Sequence, residues 1–109
     1  MTLSDYQKAA RETAIYPSKE TNIYYPTLGL AGEAGEIANK VKKIMRDRNG
    51  EVTPDVQFML LQELGDCLWY LADLSSVLGL SLDDVAKYNL DKLALRKLNN
   101  TIKGSGDNR

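Results

Sequence analysis

The chain has 109 residues, enough for one domain with a single core, and its 43% hydrophobic and 27% charged residues are ordinary for a globular protein. A formal net charge of −1 gives no broad basic field, so neither a nucleic-acid partner nor an anionic membrane surface is expected. Histidine is absent and Cys67 is the sole cysteine, which excludes a closed zinc site of the Cys/His type and an internal disulfide.

The N-terminal stretch MTLSDYQKAARETA carries early charges and no apolar core, so a secretory leader is not expected. No apolar run reaches the roughly eighteen residues of a membrane span. With the lone cysteine, these features lead us to expect a cytoplasmic protein.

In chain order, TLSD signals a first helix from about Ser4 to Ala14, closed by Pro17. The polar loop YPSKETNIYY follows, with Tyr16, Tyr24 and Tyr25. A second helix opens near Pro26 and runs to about Arg46, before a turn at Asn49 and Gly50. A third starts at Thr53–Pro54 and stops at Gly79. The fourth begins with the capping-box spacing SLDD and continues to about Ile102. Residues 1–102 are expected to form a single domain and 103–109 a flexible tail. No strand alternation is present, so the class is all-α. Short links between the last three helices favour an antiparallel bundle of about four helices.

Helical periodicity of roughly 100° per residue puts Leu30, Ala34, Ile37, Val41 and Ile44 on one stripe of the second helix. Leu60, Leu64, Cys67, Leu71, Leu74 and Leu78 form the matching stripe of the third. The third helix has a second stripe: Phe58, Leu61, Gly65, Trp69 and Ala72. A helix apolar on two sides is buried on two sides, which four helices of one chain this size rarely achieve. Subunit association is therefore expected to complete the bundle. The alternative is that Trp69 packs beneath the first helix or the long loop.

Glu33 and Glu36 on the second helix, and Glu63 and Asp66 on the third, are pairs at three-residue spacing. Each pair falls at a similar offset from its own apolar stripe, so packing the stripes together converges four carboxylates at one rim. Asp73 follows Asp66 by seven residues and is placed to extend the cluster. Clustered carboxylates repel one another unless they are protonated or hold cations. An oxygen-only donor set suits magnesium, with manganese able to substitute. The competing reading is a solvated helix face. Gly29, Gly32 and Gly35, each costing a helix interior about 0.8–1 kcal/mol, imply close approach of another helix or of a ligand.

On the fourth helix Asn89, Lys92 and Arg96 share a face, where the two cations could clamp phosphate oxygens or simply snorkel to neighbouring acids. Lys40 and Lys43 on the second helix carry the same two readings, ordinary surface charge being the simpler. Carboxylates for hard cations, with cations for phosphate, describe metal-assisted phosphoanhydride chemistry.

The segment EAGEIANKVKK followed by ELGDCLWYLADLS resembles the MazG-like nucleotide pyrophosphohydrolases of the all-α NTP pyrophosphohydrolase superfamily. Their pattern is ExxE, a variable spacer, then ExxD. Glu33, Glu36, Glu63 and Asp66 occupy those positions, and DYQKAARETA and NLDKLALRK extend the likeness over most of Asp5–Lys97. The resemblance implies that the four acids bind magnesium and serve catalysis. It also implies that Lys92 and Arg96 hold the triphosphate with Asn89 near, Lys43 being a further, weaker candidate. The expected reaction cleaves a nucleoside triphosphate between α- and β-phosphates, giving a monophosphate and pyrophosphate. A homodimer, or a homotetramer built from dimers, is expected, with sites drawing on more than one chain. Without the histidine that some relatives use, base recognition falls to Tyr16, Tyr24 and Tyr25 or to stacking on Trp69. The alternatives are a non-catalytic metal-binding or scaffolding bundle, or the same fold acting on another nucleotide such as phosphoribosyl-ATP or a deoxynucleotide.

Overall fold

The computed structural model describes residues 1–109 and is all-α, with four helices and no strand. Helix α1 spans Leu3–Glu12 behind a reciprocal cap: Thr2 Oγ1 accepts from the Asp5 N–H, and the Asp5 carboxylate from the Thr2 N–H. It ends two residues before the expected Ala14. Thr13 closes it, with its hydroxyl donating to the Ala10 carbonyl at 2.7 Å.

Helix α2 (Tyr24–Arg48) starts two residues earlier than Pro26 suggests, because Asn22 Oδ1 accepts from the N–H groups of both Tyr24 and Tyr25. Asn49, at φ 55°, ends it in the left-handed region. Helix α3 (Pro54–Val77) has Pro54 at its first turn and Gly79 at φ 72° just past its end. Helix α4 (Leu82–Leu98) begins where Ser81 Oγ accepts from the Asp84 N–H. It stops four residues short of Ile102. Asn100 turns left-handed, and the Thr101 N–H bonds back to the Arg96 carbonyl at 2.8 Å, which closes the helix end.

Helices α2 and α3 form an antiparallel hairpin. Arg48 pairs with Asp55, Lys40 with Glu63, and Gly29 lies against Tyr70, so partners advance in opposite directions along the two helices. Helix α1 packs on α3, while α4 touches α1 and α3 but not α2. Gln7 ties this corner: its side chain donates to the Leu80 carbonyl and accepts from the Leu82 N–H.

The α3 stripes are only partly covered. Leu60, Cys67 and Leu74 are half-buried, but Leu64 is 58% exposed, and in the second stripe Leu61 is 62% exposed. Met59, Glu63, Asp66 and Tyr70 are among the residues turned to α2, which shifts the inner face away from the exposed Leu64 and Leu71. Trp69 turns to α1 of its own chain, donating to Thr13 Oγ1. Of the three α2 glycines, Gly29 alone has the close neighbour expected within the chain; Gly32 and Gly35 face open space.

The chain is open in shape. Its radius of gyration is 16.8 Å, against about 13 Å for a compact domain of this length. Its accessible surface is 7984 Å², against about 6,000 Å² for a compact monomer of this mass. The tail, residues 103–109, folds back, with Arg109 donating to the carbonyls of Thr101, Ile102 and Gly106. No helix is long and apolar enough to cross a membrane.

Candidate active site

The α2–α3 hairpin brings Glu33, Glu63 and Asp66 together, with one carboxylate oxygen from each within 4.8 Å of the others. Glu33 and Glu63 are half-buried and Asp66 is exposed. Glu36, one turn along α2, is exposed and stands outside this trio, although its charge reaches Glu33 and Lys40.

Burial pushes the Glu33 carboxyl above the usual carboxylate range, reinforced by a hydrogen bond to Glu63 and by the charges of Asp66, Glu63 and Glu36. Glu63 moves the other way, because the Lys40 ammonium donates to its Oε1 at 2.5 Å. The Cys67 thiol is pushed up by burial and then by the same three acids. Converging oxygen donors without a nitrogen or thiolate partner fit a hard divalent cation, magnesium or manganese.

A cavity of about 450 Å³ opens beside the trio, with Glu33 and Asp66 in its wall. Thr13, Ile15, Tyr16, Tyr25, Trp69 and Tyr70 complete the lining. Tyr16 and Tyr25 stack with ring centroids 4.2 Å apart, and Trp69 meets Tyr70 edge-on at 5.1 Å. The Trp69 indole donates to Thr13 Oγ1 at 2.7 Å, which fixes the ring's orientation. Tyr24, the third tyrosine of the loop, is exposed and not part of the lining.

Asp73 does not extend the acid cluster. Its carboxylate is fully buried, accepting from Arg11 Nη1 at 2.7 Å and from the Tyr16 hydroxyl at 2.5 Å. Seven residues carry Asp73 about 10 Å along α3 from Asp66, beyond the acid cluster and level with Arg11 of α1 and Tyr16 of the loop. Lys43 is exposed and lines a separate cavity of about 120 Å³ with Lys40, Ile44 and Asp47.

Asn89 is exposed on α4. Lys92 and Arg96 line another cavity, of about 400 Å³, with Tyr88 and the tail residues Asp107, Asn108 and Arg109. Arg96 is buried and donates to the Asp107 carbonyl at 2.9 Å. Within one chain, therefore, the α4 cations line a cavity separate from that of the acids, and α4 does not touch α2.

Sequence reasoning passed over the roles of Thr13 and Tyr70, and of the two readings it gave Lys40 the structure bears out the one that pairs it with a neighbouring acid, Glu63. Lys40 carried a signal: it follows Glu33 by seven residues and Glu36 by four, on the same helix face. Thr13 and Tyr70 carried none, because their positions depend on how α1 and α2 pack against α3.

A family model described as the MazG nucleotide pyrophosphohydrolase domain matches residues 22–100. The chain is 49% identical over 114 residues to the Gene 37 protein of Mycobacterium phage L5, each chain being covered completely. It is 34% identical over 104 residues to YvdC of Bacillus subtilis (strain 168), covering 88% of this chain and 96% of that one. No solved structure matches. The matched span contains all four acids and both helices that hold them, and the chain belongs to the MazG nucleotide pyrophosphohydrolase family.

Proposed function

We propose that this protein hydrolyses nucleoside triphosphates between the α- and β-phosphates, releasing a nucleoside monophosphate and pyrophosphate. Magnesium would be held by Glu33, Glu63 and Asp66, joined by Glu36, with manganese able to replace it. The observation that carries this reading is the convergence of three carboxylates, two of which, Glu33 and Asp66, lie in the wall of an aromatic-lined cavity. The family to which the chain belongs is generally dependent on a divalent metal.

When bound there, a divalent cation neutralises charge on the polyphosphate and lowers the pKa of a water in its shell. Glu33 and Asp66 border both the acid cluster and the cavity, so a nucleotide seated there would have its phosphates at the carboxylates and its base among the aromatics. Trp69 and Tyr25 offer flat faces for stacking, and Thr13 anchors the indole.

The same proposal includes association into a homodimer or a homotetramer built from dimers. Each chain carries about 2,000 Å² of surface in excess of a compact monomer, more than the roughly 800 Å² per partner of a standard interface and in the range of an obligate pairing. The apolar line Leu61, Leu64, Leu68 and Leu71 on α3 would supply the contact. Association would also offer a way for Lys92 and Arg96, with Asn89, to meet the acids of another copy and grip the triphosphate. A sole, reduced cysteine suits work in a cytoplasm.

Product analysis with magnesium and a panel of ribo- and deoxynucleoside triphosphates tests the reaction. Monophosphate with pyrophosphate is the expected result. Diphosphate with inorganic phosphate would move the scissile bond. Cation binding with no turnover on any member of the panel would leave a non-catalytic bundle.

A further inference from the structure

Lys40 is the one basic side chain paired with any of the four acids of the site. Its Nζ lies 2.5 Å from Glu63 Oε1, reaching from α2 across to α3, with its own side chain 32% exposed and that of Glu63 14% exposed. Three carboxylates within 4.8 Å of one another repel, and the ammonium offsets part of that repulsion at Glu63. A divalent cation ligated by Glu63 needs the same oxygen lone pairs and brings two positive charges against the ammonium.

We infer that Lys40 is a built-in rival of the divalent cation: it holds the α2–α3 hairpin together at Glu63 until the cation displaces it, and so sets the cation concentration at which the site fills. The inference rests on the metal-binding reading of the acid cluster. It makes Lys40 a positioning residue, acting through Glu63 rather than on the substrate. Lys42, exposed on the same helix and paired with no acid, gives a control of equal charge.

The test is calorimetric titration of magnesium, and of manganese, into the full chain without nucleotide, for wild type, Lys40→Met, Lys40→Arg and Lys42→Met. Thermal melts in EDTA and in saturating magnesium accompany it. Lys40→Met is expected to bind the cation about threefold to tenfold more tightly than wild type. It should also melt lower in EDTA and level with wild type in saturating magnesium. Lys40→Arg should keep an affinity near wild type, and Lys42→Met should change it by less than Lys40→Met does. An unchanged or weaker affinity in Lys40→Met overturns the inference. So does equal tightening by Lys42→Met, which would reduce the effect to net charge. A raised KM for nucleotide with unaltered cation affinity would make Lys40 a substrate ligand instead. If wild type and Lys40→Met both fail to bind either cation, the metal reading of the site itself falls.

Discussion

Arg11 Nη1 donates to Asp73 Oδ1 at 2.7 Å, joining α1 to the buried flank of α3, and the Tyr16 hydroxyl completes the carboxylate's partners. Arg11 Nη2 reaches on to the Lys19 carbonyl at 2.6 Å, so one guanidinium holds a helix, a loop and an acid in register. The loop that this triad anchors supplies Tyr16 to the cavity wall.

Removing Asp73 would leave Arg11 without its buried charge partner, with only the exposed Glu20 carboxylate 3.5 Å away. Breaking such a pair costs about 3–5 kcal/mol when both charges are buried. Arg11, at 21% side-chain exposure, recovers some hydration, so about 3 kcal/mol is expected for Asp73→Ala by urea denaturation. Magnesium affinity should stay at its wild-type value, because Asp73 is no part of the acid cluster. A fall in magnesium affinity as large as that caused by a change at Glu63 would return Asp73 to that cluster.

Glu63→Gln keeps the shape of the side chain but removes one charge from the acid cluster and the ionic partner of Lys40. A drop in kcat of at least about 100-fold is expected, together with weaker magnesium binding and an unaltered helical circular dichroism spectrum. Turnover within a factor of about two of wild type would exclude Glu63 from catalysis.

Trp69→Ala should act on nucleotide affinity rather than on the chemical step. Base–aromatic stacking is worth about 1–3 kcal/mol, so KM is expected to rise about tenfold with kcat little changed. Steady-state kinetics on the best substrate of the panel decides it. A purely structural Trp69, held by Thr13, would instead lower the melting temperature and leave KM alone.

The α2 glycines should respond in opposite directions. A Cβ on Gly29 would lie 2.2 Å from Tyr70 Cε1, so the ring that walls the cavity has to move. Gly29→Ala is expected to lose about 1–2 kcal/mol despite its better helix propensity. Gly32→Ala meets nothing within 4 Å and should gain about 0.8–1 kcal/mol. Loss of stability in Gly32→Ala, with a smaller species on a sizing column, would place a second chain against that glycine.

At the start of α3 the Thr53 hydroxyl and the Arg48 guanidinium hold the Asp55 carboxyl down to about 2. A depressed carboxyl favours the folded state above its unfolded pKa of about 3.9, and that contribution fades as pH falls through the folded value. Asp55 should therefore remain ionised at pH 3 in an NMR titration of side-chain carboxyls, a pH chosen to lie above about 2. The stability difference between wild type and Asp55→Asn should narrow as pH falls through the interval between those values. A titration midpoint near 4 would show that the Arg48 contact is not maintained in solution.

Much of this protein was legible in its residues. The helix class, the four elements and the ExxE and ExxD pairs follow from local rules: capping residues, helix-ending glycines and the 3.6-residue period each act within a few positions. Those rules also placed Glu33 on the face that meets Glu63 and Asp66. What they could not fix is anything that depends on how one helix rotates against another. Asp73, on nearly the same line as Asp66, turned inward to Arg11 rather than to the acid cluster. Lys40 reached across to pair with Glu63, and Leu64 moved off the inner face. Trp69, Tyr25 and Thr13, far apart in sequence, met around one cavity. A rotation of a few tens of degrees about a helix axis leaves every local interaction intact while changing which side chains touch. That choice is made by packing across the whole chain, and only the tertiary structure records it.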